Sequence, residues 1–237
     1  MLYLFNVAAI AVAAWAFWQR RLTLQSRFDA PITYGIAAFG LAVALDSPWG
    51  GVAAASYPFT GKYYLLMGLG HVVALCGAAL AIKATFMRLL PDDALGPFMR
   101  TRITPVIAVA GFVMLCCLIA SPITSSMPAD HLYLVAPDRW LIVYWCAFLG
   151  ALLVLQSTAV FGMSRMRADP RSVMIIPMLF SQLAGCGVIA LLAFGLLGHH
   201  SVITLTIVWP FAYLTIIAGS TAAVLSWRHR WTKMVRG

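Results

Sequence analysis

Apolar runs long enough to cross a bilayer recur from one end of this chain to the other, and short connections between them hold almost all of its charge. A hydrocarbon layer about 30 Å thick needs roughly 20 helical residues at about 1.5 Å of rise each. Seven segments meet that length: 2–18, 31–52, 63–86, 103–121, 140–163, 173–197 and 202–226. The second is the least regular, because its clean apolar run stops at Leu45 and "DSPWGG" follows. With 62% hydrophobic residues, 10% charged residues and a mean hydropathy of +0.91, the chain lacks the polar residues to clothe a soluble domain. The expected fold is all-α: one polytopic bundle of seven transmembrane helices over 1–226, followed by a basic tail, 227–237.

The net charge of +9 raises the possibility of nucleic-acid binding, but its distribution argues against it. Odd-numbered connections and the tail hold Arg20, Arg21, Arg27, Lys83, Arg88, Arg100, Arg102, Arg165, Arg167, Arg171, Arg228, Arg230, Lys233 and Arg236, whereas the opposite side holds only Lys62 and Arg139. That asymmetry is the positive-inside pattern, which places the N-terminus outside and the C-terminus in the cytoplasm. The cations suit anionic lipid headgroups, not a DNA groove. "QRR" follows the first apolar run and no cationic leader precedes it, so the first span does not read as a cleaved signal peptide. Trp15, Trp18, Trp49, Tyr63, Tyr64, Trp140, Trp227 and Trp231 fall where interfacial aromatic belts are expected. In the tail, Trp227 and Trp231 share a helical face among Arg228, Arg230 and Lys233, which reads as an anchor on anionic lipid.

Polar residues inside the spans fall into two layers. Asn6 and His71 lie at similar depth, roughly 8–12 Å below the outer surface at the helical rise. Gln156, Ser181, Gln182 and Ser220 form a second layer nearer the inner side. An unpaired amide in hydrocarbon costs several kcal/mol, so these groups should face one another. The simplest role for His71 is a neutral imidazole buried against span 1 or span 7, bonded to Asn6, Thr204 or Thr206. The alternative is a ligand-binding or proton-responsive residue in a central cavity. Small residues crowd the same span at Gly68, Gly70, Ala74, Gly77, Ala78 and Ala81, which marks span 3 as the packed centre of the bundle.

Outside the membrane, Asp130 and His131 precede span 5, and His199 and His200 cap the hairpin between spans 6 and 7. Three imidazoles and a carboxylate on one face could bind Zn²⁺ or Cu²⁺, although solvated loop residues are the simpler reading. No cofactor is expected: bis-histidine haem ligation needs a second mid-membrane histidine, and the sequence has none. All five cysteines lie in apolar runs with no disulfide spacing.

The absences exclude chemistry. The chain contains no Glu, no HExxH, GxSxG or Walker A motif, and no carboxylate at the centre of a span, Asp46 reaching an outer boundary at most. Enzymatic activity and classical ion coupling are therefore not expected. The pattern "YYLLMGLGHVVALCGAALAI", with the Ala/Leu/Arg-rich composition and the N-out seven-span layout, resembles the membrane half of a family from actinobacteria and their phages. Its members are labelled as uncharacterised membrane proteins or transporters, and many add a cytoplasmic domain after span 7, whereas this sequence ends at Gly237. The resemblance implies no catalytic residue.

Three functions fit these observations. The first is a non-enzymatic protein of the bacterial cytoplasmic membrane that binds or regulates, with phage immunity or exclusion as the role if it is phage-borne. The second is a small transporter or channel-like carrier with a polar path through Asn6, His71, Gln156 and Gln182. The third is an accessory subunit bound to a partner membrane protein or to a second copy of itself. A cavity joining the two polar layers would favour transport; its absence, with an apolar lipid-facing groove, would favour a partner helix.

Overall fold

The structure is a computed structural model and describes residues 2–47, 52, 54–126, 132, 137–166, 181–187 and 202–236. Among the described residues every regular element is a helix and none is a strand. The main helices are α1 (Leu2–Arg20), α2 (Ala30–Leu45), a single turn α3 (Tyr57–Thr60), α4 (Leu65–Phe86), α5 (Asp92–Phe98), α6 (Thr104–Ala120), α7 (Arg139–Met166), α8 (181–187) and α9 (Val202–Arg236). Leu65–Phe86, Asp92–Ala120, Arg139–Met166 and Pro210–His229 are long and apolar enough to cross a membrane, and Ala30–Leu45 is a shorter apolar helix.

Local chemistry sets the ends. Pro31 occupies a first-turn position of α2, where the missing N–H costs nothing. The chain turns out of α3 at Gly61, whose φ of +65° is open to glycine without strain. α2 ends at Leu45, so the expected second span is cut short at "DSPWGG": Asp46 caps the helix, its N–H donating to Ala42 O at 2.8 Å. The fourth segment runs the other way, because helix begins at Asp92, well before 103, and passes through a π-helical turn at Met99–Ile103 into α6. Two carboxylates in the first turn of α5 favour that early start by complementing the helix dipole.

α4 sits at the centre and packs on α2, α6 and α7, while α1 packs on α2 and α9. The α2–α4 seam depends on glycine. A Cβ at Gly70 would lie 3.1 Å from Ala42 O and 3.0 Å from Leu45 Cβ, and one at Gly77 would lie 3.3 Å from Ala38 Cβ. Side chains this small let the two backbones approach closely, which in lipid replaces the hydrophobic drive to associate. Gly70→Ala should therefore cost about 1–2 kcal/mol through overpacking, and Gly70→Leu more. Unfolding in mixed micelles measures this, and an alanine variant as stable as the parent would refute the close contact.

α4 and α7 run parallel: His71 stacks on Phe148 at one end, and a Cβ at Gly162 would strike Thr85 and Phe86 at the other. Outward faces are apolar, as at Val109, Phe112, Leu115 and Ile119 of α6 and at Val143, Val154 and Phe161 of α7. Of the expected belt residues, Trp15, Trp18 and Trp140 are exposed, but Tyr64 is buried in the core. It holds φ at +67° to turn the chain into α4, and the preceding Tyr63 N–H bonds Thr124 O at 2.7 Å.

Candidate functional site

His71 lies on the inward face of α4 and is 3% exposed. Its Nδ1 shares a hydrogen bond with the hydroxyl of Tyr144 on α7. On the other side Nε2 faces Asp46 Oδ1 at 3.3 Å. The ring stacks on Phe148 with centroids 4.2 Å apart, and Trp145 closes the next side at 5.2 Å. The imidazole is thus held by a hydrogen bond at Nδ1 and by stacking on Phe148, while Nε2 faces the Asp46 carboxylate without making a hydrogen bond among the described residues.

Two expectations are corrected here. His71 bonds to α7, the fifth segment, not to span 1 or span 7, because α2 lies between α1 and α4 whereas α7 packs directly beside α4. Asp46 is buried, with its side chain only 10% exposed, and supplies the carboxylate that the apolar spans lack. Asn6 bonds elsewhere: its Nδ2 donates to Val43 O at 3.2 Å, and its Oδ1 accepts from Ser47 Oγ at 3.2 Å. Tyr213 of α9 lies beside Asn6, so the outer layer joins α1, the end of α2 and α9. The side chains of Thr204 and Thr206 lie outside the described residues.

A cavity of about 130 Å³ lies against this cluster, lined among others by Phe39, Asp46, His71, Leu152, Gln156 and Tyr213. A second, of about 110 Å³, is lined by Gln156, Ser181, Gln182 and Ser220, so the inner-layer residues share one chamber. Phe39, Gln156, Gly185, Thr215 and Ile216 belong to both walls. Gln156 is 9% exposed, and among the described residues its Oε1 has no hydrogen-bond partner. Ser181 Oγ donates to Thr215 O at 2.8 Å, which ties α8 to α9 beside the shared wall.

The far end of the inner chamber holds a cluster that the sequence did not single out. Arg20 was expected among the loop cations, yet its side chain is 1% exposed. Its Nη1 donates to Ala223 O at 2.8 Å, Nε to Thr33 Oγ1 at 3.2 Å and Nη2 to Asp29 O at 3.4 Å, with Asp29 Oδ1 at 3.6 Å. Arg88 reaches the same carboxylate oxygen at 3.7 Å. Arg20 and Arg88 both line the chamber. Beside it Thr23 and Thr33 share a hydrogen bond of 2.6 Å, and the position of Arg20 at the end of an apolar run is the one signal of this cluster in the sequence. The carbonyl of Ala223 was not foreseeable, being 203 positions away.

Asp130, His131, His199 and His200 lie outside the described residues. In the tail, Trp227 is partly buried, and Arg228 Nη2 donates to Gln19 Oε1 at 3.0 Å, tying α9 to the end of α1. The side chains of Arg230, Trp231 and Lys233 are likewise outside the description. Comparison of the chain with protein-family models, with curated proteins and with solved structures finds no match.

Proposed function

We propose that this chain is a small carrier of the bacterial cytoplasmic membrane that takes a solute through the centre of a seven-span bundle. The observation that supports it is the shared wall: one cavity begins at Asp46 and His71, the other ends at Arg20 and Arg88, and both are bounded by Gln156, Gly185 and Thr215. A protein that only filled its core would leave no two adjoining voids lined by amide, hydroxyl and charged groups, since interiors pack densely and empty cavities are apolar. Gln156 stands where the chambers meet. Swinging its side chain, together with small shifts at the neighbouring glycine, would join them or part them.

The test is flux in proteoliposomes with glycerol, choline, 4-hydroxybenzoate and glycine as a panel of neutral, cationic, anionic and zwitterionic probes. At least one should cross faster than in protein-free liposomes, and Gln156→Trp should suppress that flux about tenfold or more by filling the junction. Equal permeability with and without protein for the whole panel would count against a carrier. A non-enzymatic binding or regulatory protein is the second reading. The hydrogen bonds that hold Arg20 at one cavity end and His71 at the other favour it, and it expects ligand binding without flux.

The orientation belongs to the same proposal. A reporter active only in the cytoplasm should work when fused after Gly237 and fail at Ala129, because the cations concentrate on the C-terminal side. The reverse pattern would invert the assignment of inner and outer chambers.

A further inference from the structure

We infer that the inner chamber is a binding site for a compact uncharged polyol. This rests on the carrier reading and deepens it by naming the class of solute. Hydrogen-bond acceptors from four helices surround the space: Thr85 of α4, Gln156 of α7, Ser181 of α8 and Thr215 of α9 all line it. Gln156 is nine-tenths buried, and among the described residues its Oε1 has no hydrogen-bond partner. A buried acceptor left unmade is costly, so it calls for a donor from whatever occupies the space. The three hydroxyls share this bias. Thr85 Oγ1 donates to Ala81 O at 2.9 Å, Ser181 Oγ to Thr215 O at 2.8 Å and Thr215 Oγ1 to Ala212 O at 2.7 Å. A hydroxyl has one proton, so each of these has only lone pairs left to offer an occupant. Glycine leaves one of them room: a Cβ at Gly219 would lie 3.1 Å from Ser181 Oγ.

An occupant matched to these groups carries donors on several sides, as a run of neighbouring hydroxyls does. Its C–H faces suit the apolar wall formed by Ile36, Phe39 and Ile216. Charge of either sign is disfavoured. Among the described residues no carboxylate lines the chamber, so a cation finds no counter-charge on its wall. Arg20 and Arg88 stand at the far end with their Nη2 atoms 3.6 and 3.7 Å from Asp29 Oδ1, so an anion approaching them meets a resident carboxylate. Size agrees as well. One water needs about 10–15 Å³ of such space, and about 110 Å³ takes roughly eight non-hydrogen atoms, the range of a three- or four-carbon polyol.

The experiment uses the full chain with erythritol as the probe, in two readouts. In phosphatidylcholine nanodiscs, saturation-transfer NMR should detect bound erythritol. Excess glycerol should displace it, and dimethyl sulfoxide, a compact solute with an acceptor and no donor, should not. In proteoliposomes, radiolabelled erythritol should enter faster than into protein-free liposomes. Gln156→Leu should weaken binding and slow entry about tenfold, the worth of one buried hydrogen bond. Thr85→Val keeps the side-chain shape and removes an oxygen whose own bond stays within α4, so it should cost about threefold, and Thr85→Ser should behave as the parent. Each variant is checked for parental melting temperature, and Thr85→Val serves if Gln156→Leu fails to fold. The inference is overturned if erythritol does not bind, if dimethyl sulfoxide displaces it as well as glycerol does, or if the folded variants bind like the parent. Flux of choline, glycine or 4-hydroxybenzoate without erythritol binding would defeat this inference alone. Erythritol binding that the variants weaken, without flux of any probe, would defeat only the carrier.

Discussion

Arg20→Met should lower the unfolding free energy by about 3–5 kcal/mol, the range for breaking a buried charge cluster by removing one member. Methionine fills much of the same space but removes the donors to Ala223 O, Thr33 Oγ1 and Asp29 O at once. The Ala223 carbonyl then stays buried without the cross-helix donor that held it, and α1 loses one of its polar ties to α9, with their packing and the Arg228–Gln19 bond left in place. A single interhelical hydrogen bond in a membrane bundle contributes about 1 kcal/mol, so a loss several times larger identifies Arg20 as a clamp and not as one more loop cation. Arg20→Lys should recover less than half of the loss, since an ammonium cannot reproduce the planar fork. Equilibrium unfolding in mixed micelles reads the difference. A methionine variant within about 0.5 kcal/mol of the parent would show that the guanidinium is solvated.

His71→Leu should cost about 3 kcal/mol, because it strips a partner from a buried carboxyl and another from a buried phenol. The ring's stacking on Phe148 is lost as well. His71→Gln should be milder, since an amide can still bond to one of the two neighbours. The sharper measurement is a double-mutant cycle. His71→Leu combined with Asp46→Asn should be more stable than the sum of the single effects by about 1 kcal/mol or more, as contacting members of a polar network are. Strict additivity would mean that the 3.3 Å approach of Nε2 and Oδ1 carries no energy.

The helices were legible because hydropathy is a local signal. The expected 63–86 and 140–163 match Leu65–Phe86 and Arg139–Met166 to within three residues at each end. Glycine and alanine along the third segment correctly marked α4 as the helix that others pack around. The errors came where a charge at the edge of an apolar run was taken to face water. Asp46 and Arg20 both stand one residue from a helix end or at it, and both turn inward because groups distant in sequence complete their bonding. Depth matching placed Asn6 and His71 at one level, yet depth says nothing about which helices touch, and Asn6 bonds to α2 instead. Tyr144 gave no warning: among Trp145 and Phe148 it reads as one more aromatic of an apolar face.

Thr215 sits on the wall common to both chambers, and water there is the central requirement of the account. Thr215→Cys, made after the five native cysteines are replaced by alanine or serine, can be challenged in membrane vesicles with a small charged methanethiosulfonate reagent. The account predicts modification within minutes, slowed about tenfold or more when Gln156→Trp is added. A thiol at 215 that stays inert to the charged reagent while an apolar maleimide labels it would mean a dry core, and the path through the bundle would not exist.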